Sequence, residues 1–332
     1  AALAARGHEV TPVPIQAIYG CRNPPTRTQD FDDPQFFNRF FHENLPVTGP
    51  ILQSDVIVIN GEGSLHGLSQ IAIVLLYLAY SAKRCCKKNV QIINHSCYPT
   101  DLDSLATSPI AEIYRGVYRH LDFVAVREHL SRALLQRLGI SATLSFDCLP
   151  LYISKHPPES PAQRSPAIVL AGSVAWRPEG LSALGNNIDT MTASGHSIQV
   201  LTGARSDPAR DDVAFLDALR QHQPTGWKHV DAASLDEWLT TIASASLLIS
   251  GRFHYTIASC MLDTPCIVLN SNTPKNCALC EEAGLAPPIN YDDAQLEHLL
   301  HERTKAILGH PPLSPDVKKE WLDRAGHNFD AL

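Results

Sequence analysis

The chain has 332 residues, 44% of them hydrophobic, and a formal net charge of −7. That length suits about two globular domains with full cores, and the acidic balance argues against a general nucleic-acid surface. Nine cysteines scattered through apolar or helical context do not make a secreted disulfide framework.

Ala1 to Gly7 reads as the last turns of a helix and a glycine stop, followed by a strand over Val10–Ile15. An earlier strand and its loop are therefore expected to precede residue 1. Residues 20–50 are rich in Pro, Asn, Asp and Phe and read as a long excursion with one short helix, of the kind that often serves as a lid and in many other cases is only disordered or a linker. Asp55–Ile59 is a continuous apolar strand, the mark of a sheet buried on both faces. It runs into Asn60-Gly61-Glu62-Gly63-Ser64, and a helix to about Arg84 follows. Its core, Ile71–Tyr80, is shorter than the ~18–20 apolar residues of a membrane span and reads as buried helix. A strand over Val90–Ile93 ends at Asn94-His95-Ser96. A helix is expected over Ser104–His120, a strand over Phe123–Val126 ending at Arg127-Glu128, a helix stopping at Gly139, and a strand over Thr143–Phe146 ending at Asp147.

Residues 154–166, with Pro157, Pro158, Pro161 and Pro166, read as a linker. Alternation then resumes: strands at Ala167–Ala171, Ser197–Leu201, Leu247–Ile249 and Cys266–Leu269, with helices near 180–194, 208–222, 234–244, 274–284, 293–308 and 314–326. The expected fold is α/β, with two doubly wound, Rossmann-like parallel sheets and a cleft between them. The expected domains are 1–153, a linker at 154–166, 167–312, and a terminal helix over 313–332 that packs back on the first domain.

Ligands of open α/β sheets gather outside the carboxyl ends of the strands. In the first half those ends carry Gly61, Glu62, Gly63, Ser64, His95, Arg127 and Asp147, with His66 one turn into the next helix. In the second half they carry Gly172-Ser173, Thr202-Gly203-Ala204-Arg205, Ser250-Gly251-Arg252-Phe253-His254 and, at a helix start, Lys275. The Ser250–His254 stretch is the most specific. A strand-to-helix junction aims backbone N–H groups and a helix dipole at one point. Arg252 adds a bidentate fork for phosphate or carboxylate, and His254 a group that exchanges a proton near neutral pH. Ordinary structural readings stand beside these: Arg127 as an ion-pair partner, Glu128 as a helix N-terminal charge, His66 as a surface or core filler. Cys277-Ala278-Leu279-Cys280 has no second CxxC to complete a zinc site, so no metal is expected. The thiols read as buried or partly buried in a reducing cytoplasm.

In order and spacing these blocks resemble the polysaccharide pyruvyl transferase family. Val56–Leu65 is similar to its strand and glycine-rich turn, and Asn94–Pro99 to its polar strand end before proline. Val124–Ser131 with Gly139 matches its Arg-Glu block, and Asp147 its strand-end acid. Ser250–Ala258 with Thr264-Pro265 and Lys275 matches its Arg-x-His block. Glu62 stands where the pattern has its middle glycine. The resemblance implies a fold of the GT-B type, phosphoenolpyruvate as co-substrate without a cofactor, and a sugar of a polysaccharide or lipid-linked glycan as acceptor. It implies donor contacts from Arg127, Arg252 and His254.

The residues suit that chemistry. Phosphoenolpyruvate has two anionic ends, which match two guanidiniums. Arg127, Gly251, Arg252, His254 and Lys275 are expected to bind the donor, with His254 as general acid and Arg127 and Arg252 steadying the departing phosphate. Gly61, Glu62, Gly63, Ser64, His66, His95 and Asp147 are the acceptor-side candidates, for binding or as base. No nucleic-acid partner is expected. A lipid-linked acceptor would bring the protein to the inner membrane surface, and a homo-oligomer stays open. Two other readings also stay open: a GT-B glycosyltransferase using a nucleotide sugar, and a glycan-binding member without catalysis.

Overall fold

The structure, a computed structural model, describes residues 3–101, 103–159, 164–203, 210–222, 224–310 and 312–332. It divides into two compact units, Ala1–Cys148 with Asp323–Leu332, and Leu149–Leu322.

Unit 1 is built on a four-stranded parallel sheet in the order β1-β2-β3-β4, with β1 Val56–His66, β2 Asn89–Tyr98, β3 Phe123–Val126 and β4 Thr143–Leu144. Its helices are α1 Ile15–Tyr19, α2 Pro34–Glu43, α3 Leu45–Gln53, α4 Gln70–Arg84, α5 Pro109–Tyr118 and α6 His129–Arg137. Side-chain oxygens set the helix starts: Asp33 caps α2, Ser69 caps α4, Ser108 caps α5 and Glu128 caps α6. The Ser108 cap with Pro109 behind it explains why α5 begins later than the helix expected from Ser104.

The opening strand expected over Val10–Ile15 is absent. Pro12 and Pro14 cannot donate to a ladder, and Ile15 instead starts α1. The excursion over 20–50 is not a loop but two helices and a 3-10 turn over Thr28–Phe31. Its phenylalanines have a partner: Phe31, Phe36 and Phe40 meet the Tyr77 ring of α4 edge-on at 5.3, 5.3 and 5.0 Å. The segment is part of the core.

Unit 2 holds a five-stranded parallel sheet in the order β7-β6-β5-β8-β9, with β5 Ala167–Ala171, β6 Ser197–Gly203, β7 Trp227–Ala232, β8 Leu247–Ser250 and β9 Cys266–Val268. Its helices are α7 Leu149–Lys155, α8 Pro178–Ala193, α9 Arg210–Gln221, α10 Leu235–Ser244, α11 Phe253–Met261, α12 Lys275–Ala283 and α13 Leu296–Ile307. A last helix, α14 Pro315–Gly326, ends among the residues that belong to unit 1. The central strands β5 and β8 are buried throughout, as continuous apolar runs require. The edge strand β7 is mixed in polarity and half exposed, which is why its sequence does not announce a strand.

Residues 160–163 of the expected linker lie outside the described residues. Its last stretch is tied down by Arg164. One guanidinium nitrogen donates to the carbonyls of Ala243 (2.8 Å) and Ala245 (3.0 Å) and to Thr264 Oγ1 (2.6 Å), and the other to the carbonyl of Leu262 (2.9 Å). These carbonyls close the C-terminal ends of α10 and α11, where a cation also meets the negative end of each helix dipole.

Candidate functional site

In unit 1 the polar residues gather where the sheet's strands bulge. Both β1 and β2 run further than expected. The ladder continues past Gly61 to His66, paired with Tyr98, after a register shift between Glu62 and Leu65, and β2 pairs with β3 across a shift between Ile92 and His95. Gly61-Glu62-Gly63-Ser64 is therefore an irregular stretch within a strand, and not the turn into a helix. His66 lies at the end of that strand, where its Nδ1 meets the Gly63 carbonyl at 2.8 Å, and not in the helix. At the two shifts the backbone turns left-handed at Glu62 (φ 40°) and Asn94 (φ 51°). Gly61 is dictated by space: a Cβ there would come within 2.7 Å of His95 Cβ.

Asparagines join these bulges. Asn94 Nδ2 donates to Asn60 Oδ1 (2.9 Å), and Asn60 Nδ2 to Glu62 Oε1 (3.1 Å). Asn94 Oδ1 accepts from the Cys148 backbone (3.1 Å), and Asn328 Oδ1 from the Asn94 backbone (2.7 Å). Asn60 and Glu62 remain exposed, a pair of polar groups suited to hydroxyls. Cys148 sits beside them. Burial, then the charges of Asp147 and Glu62, push its thiol up to about 12, so it is no thiolate.

Three expectations for this unit change. His95 is fully buried. Its Nδ1 donates to the Ala125 carbonyl (2.9 Å) and its Nε2 accepts from the Tyr118 hydroxyl (2.9 Å). Burial, with the Arg127 charge, holds its pKa down to about 3. It is a neutral core residue and does not fit the role of acceptor base. Asp147 and Arg127 pair with each other, Nη1 to Oδ2 at 2.7 Å, with side chains 3% and 1% exposed. Arg127 Nε also donates to Ser96 Oγ (2.9 Å). An accessible base at Asp147 and a direct donor contact at Arg127 do not fit that burial. Glu128 follows its structural reading, capping α6 through the Ser131 backbone (2.8 Å).

In unit 2 the expected junction is present. Strand β8 ends at Ser250, whose Oγ accepts from the Arg252 backbone (2.9 Å), and α11 starts at Phe253. Gly251 is again a matter of space, since a Cβ there would lie 2.3 Å from Ser173 Cβ and 2.9 Å from the Asn270 carbonyl. Ser173 Oγ in turn donates to that carbonyl (2.8 Å), which joins the ends of β5, β8 and β9. Asn276 Nδ2 donates to the carbonyls of Gly251 (3.2 Å) and Leu269 (2.9 Å). The start of α12, with Lys275 as its first residue, is thereby set against the same turn.

Arg252 is the N-cap residue of α11 and gives it no side-chain cap. Its guanidinium, 19% exposed, forms an ion pair with Asp212 of α9. Tyr291 lies buried nearby, its phenol pushed up by burial while the Arg252 charge opposes the shift. His254, in the first turn of α11, is half-buried, its ring 5.9 Å from that of Phe253. The structure thus brings Gly251, Arg252, His254 and Lys275 to one strand end. Ala204 and Arg205 lie outside the described residues. Asp212 and Tyr291 carry no local signal in the sequence; only the folded chain shows them. Among the described residues no group of three His, Cys, Asp or Glu side chains is placed to hold a metal, and no helix is long and apolar enough to cross a membrane.

A family model described as polysaccharide pyruvyl transferase matches residues 2–273. No curated protein matches the chain. Among solved structures it is similar to a UDP-GlcNAc 2-epimerase from Methanocaldococcus jannaschii, at 13% identity over 84% of this chain and 81% of that one, with a TM-score of 0.51. A putative UDP-N-acetylglucosamine 2-epimerase from Listeria monocytogenes aligns at 10% identity over 92% and 86%, TM-score 0.55. A trehalose 6-phosphate synthase from Burkholderia multivorans aligns at 12% over 89% and 72%, TM-score 0.52. At such identities the likeness shows the fold alone, parallel-sheet α/β units of the GT-B kind.

Proposed function

The chain belongs to the polysaccharide pyruvyl transferase family, and we propose that it moves the pyruvyl group of phosphoenolpyruvate onto a sugar of a polysaccharide or lipid-linked glycan as a ketal. The observation that carries this reading is the β8–α11 turn. It sets a partly exposed guanidinium, a helix N-terminus and a half-buried imidazole on one strand end, with Lys275 at the adjoining helix start.

A donor with a phosphate and a carboxylate suits that turn. Arg252 offers a planar fork to one anionic group, and Lys275 a point charge to another. His254 supplies the proton that the enol methylene must gain at C3. As C3 is protonated, C2 becomes electrophilic and a sugar hydroxyl adds to it. The hydroxyl proton returns to the imidazole, and a second hydroxyl then displaces phosphate from C2, its proton leaving with the phosphate, which completes the ketal. Charge on the departing phosphate grows beside Arg252, which stabilises that step.

The test is incubation with phosphoenolpyruvate and candidate glycans, reading phosphate release and the mass of the ketal. His254→Ala is expected to lower turnover by about 10²–10⁴-fold; near-wild-type turnover refutes the acid assignment. Binding of UDP or CMP with none of phosphoenolpyruvate would favour a nucleotide-sugar transferase. Glycan binding without phosphate release would favour a non-catalytic member.

A further inference from the structure

We propose that Asp212 is a displaceable internal counter-ion, which occupies the anion-binding face of Arg252 until a substrate anion replaces it. This rests on the donor reading of the β8–α11 turn and adds a residue that no sequence motif points to.

Three observations carry it. Asp212 and Arg252 form an ion pair in which both side chains remain partly exposed, 18% and 19%. The pair is therefore reachable from solvent, unlike the sealed Arg127–Asp147 pair. A carboxylate on a guanidinium fork also presents the same atoms as a substrate carboxylate or phosphate. Both cannot share that fork without bringing like charges together.

Exchange needs little movement. Asp212 lies in the first turn of α9, and the helix is fixed further along by Phe215 and Leu219, both buried. Phe215 packs so closely on Gly172 that a Cβ there would meet its ring at 3.1 Å. Rotation of the Asp212 side chain, with the helix still, withdraws its carboxylate from the guanidinium. Once released, the carboxylate stays near the positive end of α9's own dipole, which favours it there. An occupied fork also keeps the guanidinium compensated, and in one orientation, before substrate arrives.

The rival account is that Asp212 only orients Arg252, as a positioning residue. The two differ in sign. Asp212→Asn keeps the shape and removes the charge. Isothermal titration with inorganic phosphate and with phosphoenolpyruvate should show binding about three- to tenfold tighter than wild type, the range of a partly exposed pair. Unchanged or weaker binding of both anions overturns the proposal and supports the orienting role. Phenylglyoxal labelling of Arg252, read by mass spectrometry, separates this from the donor assignment. Faster labelling in Asp212→Asn, with phosphoenolpyruvate bound by neither protein, leaves the counter-ion standing and sinks the donor reading. Where neither anion binds, equal labelling rates overturn the counter-ion. Asp212→Ala serves as the second variant and should move binding and labelling in the same direction.

Discussion

Removal of Asp147 should be among the most damaging single changes in unit 1. Its carboxylate meets Arg127 at 2.7 Å, with the two side chains 3% and 1% exposed. The Ser96 hydroxyl, which accepts from Arg127 Nε at 2.9 Å, is neutral and does not replace the charge that Asp147 supplies. Breaking a buried pair from one side costs about 3–5 kcal/mol, a large share of the ~5–15 kcal/mol that holds a domain folded. Asp147→Ala should cost that much, and Asp147→Asn less, because an acceptor remains. The double variant Arg127→Met, Asp147→Leu removes both charges and should return to within about 2 kcal/mol of wild type, since apolar replacement of a buried pair is often neutral or stabilising. The cycle of four proteins gives the coupling directly.

The assay must see unit 1. The tryptophans Trp176, Trp227, Trp238 and Trp321 all fall in unit 2, so indole fluorescence reports on the other unit. Urea unfolding followed by far-UV circular dichroism, with amide exchange on peptides of β2 and β3, reads the change where it is made. A loss below about 1 kcal/mol in Asp147→Ala would mean that the Arg127 charge is compensated without Asp147. It would refute the argument that burial keeps Arg127 from direct donor contact.

Other predictions follow from single environments. His95 stays neutral in the fold, held down to about 3 by burial, but takes up a proton in the unfolded chain below about 6.5. Its contribution is therefore present above pH 6.5 and is lost as pH falls toward 3, at up to about 1.4 kcal/mol per pH unit; His95→Gln should flatten that slope in acid unfolding. Glu62→Gly should raise stability by up to about 1 kcal/mol in urea unfolding, because a left-handed backbone costs a side-chain-bearing residue about 1–2 kcal/mol and glycine gives part of that back in entropy. Arg164→Ala frees the carbonyls of Ala243, Ala245 and Leu262 and should lower the unit 2 transition, read by tryptophan fluorescence, by about 2–4 kcal/mol.

What the sequence reveals depends on how local the cause is. Strands β5 and β8 are legible because each is a continuous apolar run, broken in β8 only by its last residue, Ser250, and α4 because an apolar run follows Ser69. The turn at Gly251 is legible because strand, glycine, cation and helix follow one another within a few residues. The bulges at Glu62 and Asn94 are not, since they arise from the pairing of two strands whose ladder partners lie more than thirty residues apart. The Phe-rich segment reads as an excursion with one short helix until Tyr77 supplies the surface that its rings cover. Asp212 meets its partner 40 residues along the chain, and nothing near it marks a ligand-site residue. Of the histidines singled out, His95 sits nearest to the family motifs of unit 1, yet its chemistry is decided by Tyr118 and the Ala125 carbonyl. Motif position alone cannot show that an imidazole is sealed.

Glu62 departs from the family pattern at a backbone position suited to glycine. The left-handed conformation at that position, φ 40°, is one that glycine adopts freely and glutamate does not. Glu62 places an exposed carboxylate, steadied by Asn60, where the pattern has none. The two units present their candidate groups at strand ends by different means. Unit 1 seals its charges in an ion pair and leaves amides and a carboxylate outside, groups that exchange hydrogen bonds with hydroxyls. Unit 2 leaves its guanidinium partly open, with an imidazole in the adjoining helical turn. The partly exposed guanidinium and the imidazole of unit 2 thus lie together at the β8–α11 turn, whereas Arg127, despite its place in a family motif, is buried in its pair with Asp147.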